Sequence, residues 1–554
     1  MIAHWHSLWQ GRRGRQLREY LTAYLMIAPA LALIFTFGIF PIFFALYVSL
    51  HRWHIRQGKF LGLGNYVKAI DALAYVLFFA TALGLLYLGW RTLQNIRQTA
   101  QTNREQPWSL AVPGLAFTAA GLLFLRWGVL ALPAVLGIAD KALHMERTPG
   151  LFRRLLFEAL SEPPIWNAFW QSVGGLLVAV ILAQLSRRWF ASPRRTTYLL
   201  QWFSGSLFLT VGGLTAWFTY AQLRQAVQKA LESGKEPSMG IHVVLITSGL
   251  LLLWASWRLW QSAVRHDNDK VFLLRGFAAL LLIVAGWVLI GELPPVIQEG
   301  DKNLWEGLLH TVYYALGTIP FQLSIALVLA YILFQNVWGR EFFRVVYFLP
   351  YVTPAVASAA VFRLLFLGHP AGLVNQILRL VGIPSLKWLW EPRGVFQVIG
   401  DLLGISVPSW AGGPSLALTV VIIYSIWTFV GYDTVIYLAG LGNIDREINE
   451  AAAIDGASRW QIFRYVTLPL LSPTTYFLSV IAVIGTFKAF NHIYVMREAA
   501  ALGTMDTFSV VIFDTFFTDT RYGYASAMAF ILFAIILLLT YFNNKIQGSR
   551  VFYQ

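Results

Sequence analysis

Ionisable side chains are rare within the long apolar runs of this sequence, and a few of them gather late in the chain. Asp433 stands beside Tyr432, with Tyr424 and Trp427 at helical spacing before it. Lys488, Asn491, His492 and Tyr494 follow in the next apolar run. Charged and amide groups are costly inside a bilayer, so they face a bundle interior or water and mark a path for a polar solute. Aromatic faces at this spacing would offer stacking surface to such a solute. The same rings serve equally well to pack one helix on another.

No set of side chains for making or breaking bonds stands out. Gly58-Lys59 and Gly234-Lys235 lack the remaining residues of a phosphate-binding loop. His51 with His54, and His4 with His6, each lack a third ligand nearby, and a zinc site needs at least three protein ligands. The chain has no cysteine, which excludes disulfides and thiolate ligation. The expectation is therefore no catalytic residue, no metal and no cofactor on this chain.

The elements that must position these residues are membrane spans. Of 554 residues, 57% are hydrophobic, 15% aromatic and only 12% charged. That balance belongs to a polytopic membrane protein, and spans of this kind are helices because backbone groups in lipid must bond internally. The fold class is all-α. The net charge of +15 does not point to nucleic acid. Arg97, Arg104, Arg187, Arg188, Arg194, Arg195, Arg340, Arg344, Arg459 and Arg464 fall between apolar runs on one side, as the positive-inside rule has it. The partner of that charge is the anionic membrane face.

Between two late spans lies a polar, helix-forming loop, 441–469. It reads Glu450-Ala451-Ala452-Ala453-Ile454-Asp455-Gly456-Ala457, then Ser458-Arg459-Trp460-Gln461, and ends at Leu468-Pro469. The alanines favour helix. Gly456 suits the left-handed position that ends one. Ser458 with Gln461 three residues on forms a capping box that starts a second helix. Pro469 suits the first turn of the next span.

This loop resembles the Glu-Ala-Ala coupling loop of ABC importer permeases, with Val466 where that family usually has Ile. Phe60-Leu61-Gly62-Leu63-Gly64-Asn65-Tyr66, Ile436-Tyr437-Leu438-Ala439-Gly440-Leu441 and Tyr522-Gly523-Tyr524-Ala525-Ser526-Ala527-Met528 resemble the maltose-type carbohydrate group in kind and order. The resemblance covers about 20–70 and 304–545. It implies a six-helix permease core whose loop, through Glu450, Ala451, Ala452, Asp455, Gly456, Ala457, Leu468 and Pro469, docks on a cytoplasmic ATPase dimer that binds ATP and Mg. It further implies a second permease subunit, an extracytoplasmic substrate-binding protein, and a sugar as cargo. It places the chain in a bacterial or archaeal cell membrane with both termini cytoplasmic. One departure concerns 497–503, where a family Gly-Gly-Pro turn is replaced by Arg497-Glu498-Ala499-Ala500-Ala501-Leu502-Gly503.

Against that family, 72–300 reads as an insertion between a first region, 1–71, and the remaining core, 301–554. Six spans are expected in it, at 75–90, 110–132, 168–185, 197–220, 241–257 and 273–291, each near the ~20 residues a bilayer needs. Core spans are expected at 24–50, 310–334, 345–367, 415–440, 470–492 and 523–542, twelve in all. An even number of inserted spans preserves the orientation of the downstream core. Residues 75–93 also align without gaps on 242–260, with Trp90-Arg91 on Trp257-Arg258, which suggests a partial duplication. Two other classes fit parts of the pattern: a twelve-helix secondary transporter, and an ABC permease for a glycerol phosphate.

Overall fold

The computed structural model describes residues 12–547 apart from 144, 146, 147, 189, 191, 235–237, 265–268, 292 and 336. His4, His6, Lys235 and Arg265 lie outside the described residues. The chain divides into two units, Met1–Asp71 with Pro294–Gln554, and Ala72–Leu293. Almost every element in both is a helix.

The first unit opens with α1 (Arg18–Ser49), 32 residues and long enough to cross a bilayer with tilt. A two-stranded antiparallel ribbon follows, β1 (His51–Trp53) and β2 (Gln57–Phe60), then α2 (Gly64–Ile70). Asn65 anchors this corner by donating to the carbonyls of Ser49 at 2.8 Å and His51 at 2.9 Å. The Tyr66 hydroxyl bonds to Ser49 Oγ at 2.8 Å, and its burial pushes the phenol up to about 12.

The second unit holds α3 (Leu73–Asn103), α4 (Ala111–Leu143), a short α5 (Leu151–Leu160), α6 (Pro163–Leu185), α7 (Arg195–Glu232), α8 (Ser238–Val264) and α9 (Asp269–Ile290). The six long helices fall at the six expected spans, and most run well past the apolar run at one or both ends. Small residues bring them together, as packing in lipid requires. Along α3 and α7, Gly89 meets Gly205 and Leu209, and Gly212 meets Ala82 and Leu85. Along α8 and α9, Gly249 meets Gly286, and Ser256 Oγ donates to the Ala279 carbonyl at 2.7 Å. The alignment of 75–93 on 242–260 sets Ala82 on Gly249 and Gly89 on Ser256. Both antiparallel pairs thus close through equivalent positions seven residues apart.

The first unit resumes with α10 (Lys302–Phe334), α11 (Arg340–Val352) and α12 (Ala355–Leu365). The expected single span at 345–367 is instead two helices bent by 95°. Pro354 caps α12 and cannot continue α11, which is the physical reason. After a connection holding two short helices, Leu373–Leu380 and Val395–Leu403, comes α13 (Leu416–Gly442), capped by Ser415 Oγ accepting from Leu418 N–H at 3.0 Å. Then follow α14 (Arg446–Ile454), α15 (Arg459–Leu470), α16 (Ser472–Phe487), α17 (Asn491–Met496), α18 (Phe508–Thr518) and α19 (Tyr522–Gln547). The expected span 470–492 stops at Phe487, so His492 stands on a separate short helix. Among the described residues, 10 helices are long and apolar enough to cross a membrane, or up to 12 if each bent pair is one span.

α13 is the buried one, with 67% of its apolar window inside the structure. Its Gly431 lies against the backbone of α11, where a Cβ would overlap the Tyr347 carbonyl. Replacing Gly431 by Val should therefore cost about 1–3 kcal/mol or more through overpacking. The thermal midpoint in detergent should fall, while Gly485→Ala, with no neighbour within 4 Å, should leave it nearly unchanged. An unchanged midpoint for Gly431→Val would mean the two backbones are not in contact.

Candidate functional site

The candidate residues sit in three places along α13. At the end reached by Gly442, α14 begins with Asp445, whose carboxylate accepts from Glu447 N–H at 3.1 Å. It ends in a left-handed Gly456 with φ +86, where Ala457 N–H reaches the Ala452 carbonyl at 3.0 Å and Gly456 N–H reaches Ala453 at 3.1 Å. These two bonds are a Schellman motif. Ser458 and Gln461 then cap α15 reciprocally, at 2.7 and 3.3 Å. The two-helix reading of the loop is what the structure shows. Pro469 differs from expectation: it lies inside α15, and the 60° break to the next helix comes after Leu470.

Glu450, Ala451, Asp455 and Gly456 are exposed, while Ala452, Ala457, Leu468 and Pro469 are half-buried. Three large apolar side chains of the loop also stand in the open: Ile454 at 86%, Trp460 at 68% and Tyr465 at 73%. Behind them a groove of about 440 Å³ separates α14 and α15 from the ends of α10 and α13, with the Tyr331 ring tilted against Phe463 at 4.5 Å.

In the middle, Asp433 is buried and its Oδ2 has no hydrogen-bond partner. Gln322 Oε1 and Thr318 Oγ1 on α10 are likewise buried and unpartnered. Thr434 Oγ1 bonds to the Ala326 carbonyl at 3.4 Å and so sets α10 against α13 in register. Unsatisfied buried polar atoms call for water or a solute. Gln322 and Thr318 escape a charge-based reading because both are neutral and lie in an ordinary apolar helix. Tyr432 stacks on Tyr351 at 4.6 Å, and Trp427 packs at a tilt against Phe362 at 5.1 Å.

Towards the other end, Tyr424 and His492 come together, though not as open binding surface. The Tyr424 hydroxyl bonds to Ser358 Oγ at 2.7 Å, and its ring stacks on His492 at 5.1 Å. His492 Nε2 meets the Tyr314 hydroxyl at 3.0 Å and Ser425 Oγ at 3.3 Å. Tyr314 and Ser425 carry no sequence signal beyond an apolar setting. Lys488, Asn491 and Tyr494 are exposed beside this cluster. Next to them, Arg497 pairs with Asp506 and with Asp514, each at 2.7 Å, on the wall of a cavity of about 800 Å³. Burial raises the Asp506 carboxyl above its ordinary range, opposed by the Arg497 charge. Arg363 pairs with Glu498 at 2.7 Å and so ties α12 to the 497–503 segment.

A family model described as binding-protein-dependent transport system inner membrane component matches residues 322–552. The chain is 33% identical over 259 residues to the probable ABC transporter permease protein YesP of Bacillus subtilis, covering 46% of this chain and 76% of that one. It is 31% identical over 255 residues to the lactose transport system permease protein LacF of Rhizobium radiobacter, covering 45% and 78%. It is 30% identical over 251 residues to the arabinooligosaccharides transport system permease protein AraP of Halalkalibacterium halodurans, covering 45% and 72%.

The packing of Tyr424 yields a test. Tyr424→Phe keeps the ring on His492 and loses the hydroxyl's two bonds, to Ser358 Oγ and to the Ala355 carbonyl, so stability should drop by about 1–3 kcal/mol. Apparent affinity for the transported solute should stay within about twofold. A tenfold change in affinity at unchanged thermal midpoint would instead put this hydroxyl on the solute.

Proposed function

Because the chain belongs to the family of binding-protein-dependent transport system inner membrane components, the permease subunits of ABC importers, we propose that it carries a carbohydrate. The names of the lactose and arabinooligosaccharide relatives support that cargo. A neutral polyol asks for hydrogen-bonding atoms and aromatic faces within the membrane. Asp433, Gln322, Trp427 and Tyr432 offer them along α13 and α10. Lys488, Asn491 and Tyr494 stand at the entry to that path.

The permease is the membrane component of its system. In our reading ATP and Mg are bound by a separate cytoplasmic ATPase dimer, and a second permease subunit and an extracytoplasmic binding protein complete the importer. The observation that carries the ATPase contact is the 446–470 loop. It is capped at both ends of α14 and at the start of α15, and it holds Ile454, Trp460 and Tyr465 out to solvent. Large apolar side chains kept exposed on a rigid element mark a protein-binding surface. Glu450 and Asp455 flank them as polar guides. Residues 72–300 are read as an accessory set of helices inserted into this core.

The loop gives a direct test. Nothing lies within 4 Å of a Cβ built at Gly456, so Gly456→Val is strained only through its φ of +86, by roughly 1–3 kcal/mol. Gly456→Val and Glu450→Lys should leave membrane insertion and protein level unchanged. Both should weaken co-purification of the ATPase and cut sugar uptake severalfold. Normal uptake at normal protein level would sink the assignment.

Orientation is tested separately. In this reading Arg97, Arg194 and Arg459 face the cytoplasm, and Arg153 and Lys387 face outward. The chain has no cysteine of its own. Single cysteines at these positions should react with a membrane-impermeant thiol reagent only at 153 and 387 in intact cells. Labelling at 97 or 194 from outside would reverse the inserted region.

A further inference from the structure

The second unit carries its charge very unevenly. One end is built from the C-terminal parts of α3 and α6 and the start of α7. It collects Arg91, Arg97, Arg104, Arg187, Arg188, Arg194 and Arg195 against a single carboxylate, Glu105. The segments that join the opposite ends of the same helices are balanced in sequence: Lys141, Arg147, Arg153, Arg154, Arg224, Lys229 and Lys235 alternate with Asp140, Glu146, Glu158, Glu162, Glu232 and Glu236.

The arginine end is held in place by a small core of its own. Ile96, Leu110, Phe190 and Tyr198 are buried together, with Leu93 and Trp202 packed against them. Glu105, the only acid, is occupied: it accepts from Ser192 Oγ at 2.7 Å, a bond that holds its carboxyl below the ordinary range. Arg194 is engaged by Asn103, and Arg195 caps the Ala183 carbonyl and Ser186 Oγ. Arg97, Arg104, Arg187 and Arg188 remain exposed, and among the described residues none has an acidic partner. The C-terminal dipoles of α3 and α6 offset part of their mutual repulsion. The rest awaits an anion.

Position says which anion. Trp90 and Trp108 stand exposed close to the arginines in sequence, and Trp108 packs edge-on to Trp202 at 5.7 Å. Exposed tryptophans at the ends of spanning helices lie at headgroup depth. Guanidinium forks match phosphate oxygens in geometry as well as charge. We propose that this end of the second unit is a binding site for the phosphate headgroup of an anionic phospholipid, with Arg97, Arg104, Arg187 and Arg188 as its ligands. It thereby moors the inserted helices to one leaflet. The proposal does not depend on the orientation given above, because a lipid added in detergent reaches either end.

The test uses the full chain purified in a mild detergent. Phosphatidylglycerol, phosphatidylcholine or glycerol 3-phosphate is titrated in, and the thermal midpoint is followed. Phosphatidylglycerol should give a saturable rise that phosphatidylcholine does not. The fourfold variant Arg97→Gln, Arg104→Asn, Arg187→Gln, Arg188→Gln should weaken it at least tenfold. Asn is chosen at position 104 because φ there is +53, a conformation Asn tolerates. Neutralising Arg153, Arg154, Arg224 and Lys229 at the other end should leave the lipid effect within twofold. Equal loss from both sets, or no loss from the first, overturns the site. An equal response to glycerol 3-phosphate overturns the lipid in favour of a soluble phosphate. Should the fourfold variant fail to fold, the parent protein decides: its phosphatidylglycerol affinity must fall severalfold between 50 and 500 mM salt, and a salt-independent affinity overturns the proposal.

Discussion

Everything in the permease unit is arranged by what α13 touches. In lipid there is no hydrophobic force between helices, so a helix buried on most sides must be held by close backbone approach and by polar contacts. α13 has both. Gly431 admits the Tyr347 carbonyl of α11, Gly440 admits Thr474 of α16, and Ile422 fills the space left by Gly317 of α10. Thr434 fixes the register with α10. Higher up, Tyr424 and Ser425 bind α12 and α17 through Ser358 and His492. One helix thus sets the spacing of five others. Its C-terminal end leads into the exposed loop after Gly442.

That arrangement explains which parts were legible in the sequence. The long helices announce themselves through apolar length. The loop announces itself through capping chemistry, because Gly456, Ser458 and Gln461 each satisfy a local rule without help from the rest of the fold. The bend at Pro354 was less legible. Proline is tolerated in membrane helices, and Pro320 and Pro350 do lie inside theirs, so a proline in the run does not by itself announce a break. The stop at Phe487 was hidden because Lys488, Asn491 and His492 after it read as pathway residues of one continuing span.

The pathway residues divide along the same line. Ionisable side chains in apolar runs stand out, so Asp433 and Lys488 could be named. Whether an aromatic packs or waits for a solute depends on its neighbours across helices. Tyr424 has two hydrogen-bond partners and a stacking ring, which makes it part of the frame. Trp427 is partly exposed beside the same ring. Neutral polar atoms such as Gln322 Oε1 become interesting only once the structure shows them without a partner.

The second unit follows the packing logic of α13 with different residues. Two antiparallel pairs, α3 with α7 and α8 with α9, each close at small residues seven apart. The equivalent positions on α3 and α8 are occupied by Ala82 and Gly89 in one pair and by Gly249 and Ser256 in the other. Chance likeness between apolar helices would preserve hydrophobicity. It would not preserve which two positions lack bulk, because those positions are defined only by the partner helix. The shared spacing is therefore evidence of one packing solution used twice. Such a unit is closed by its own helix contacts.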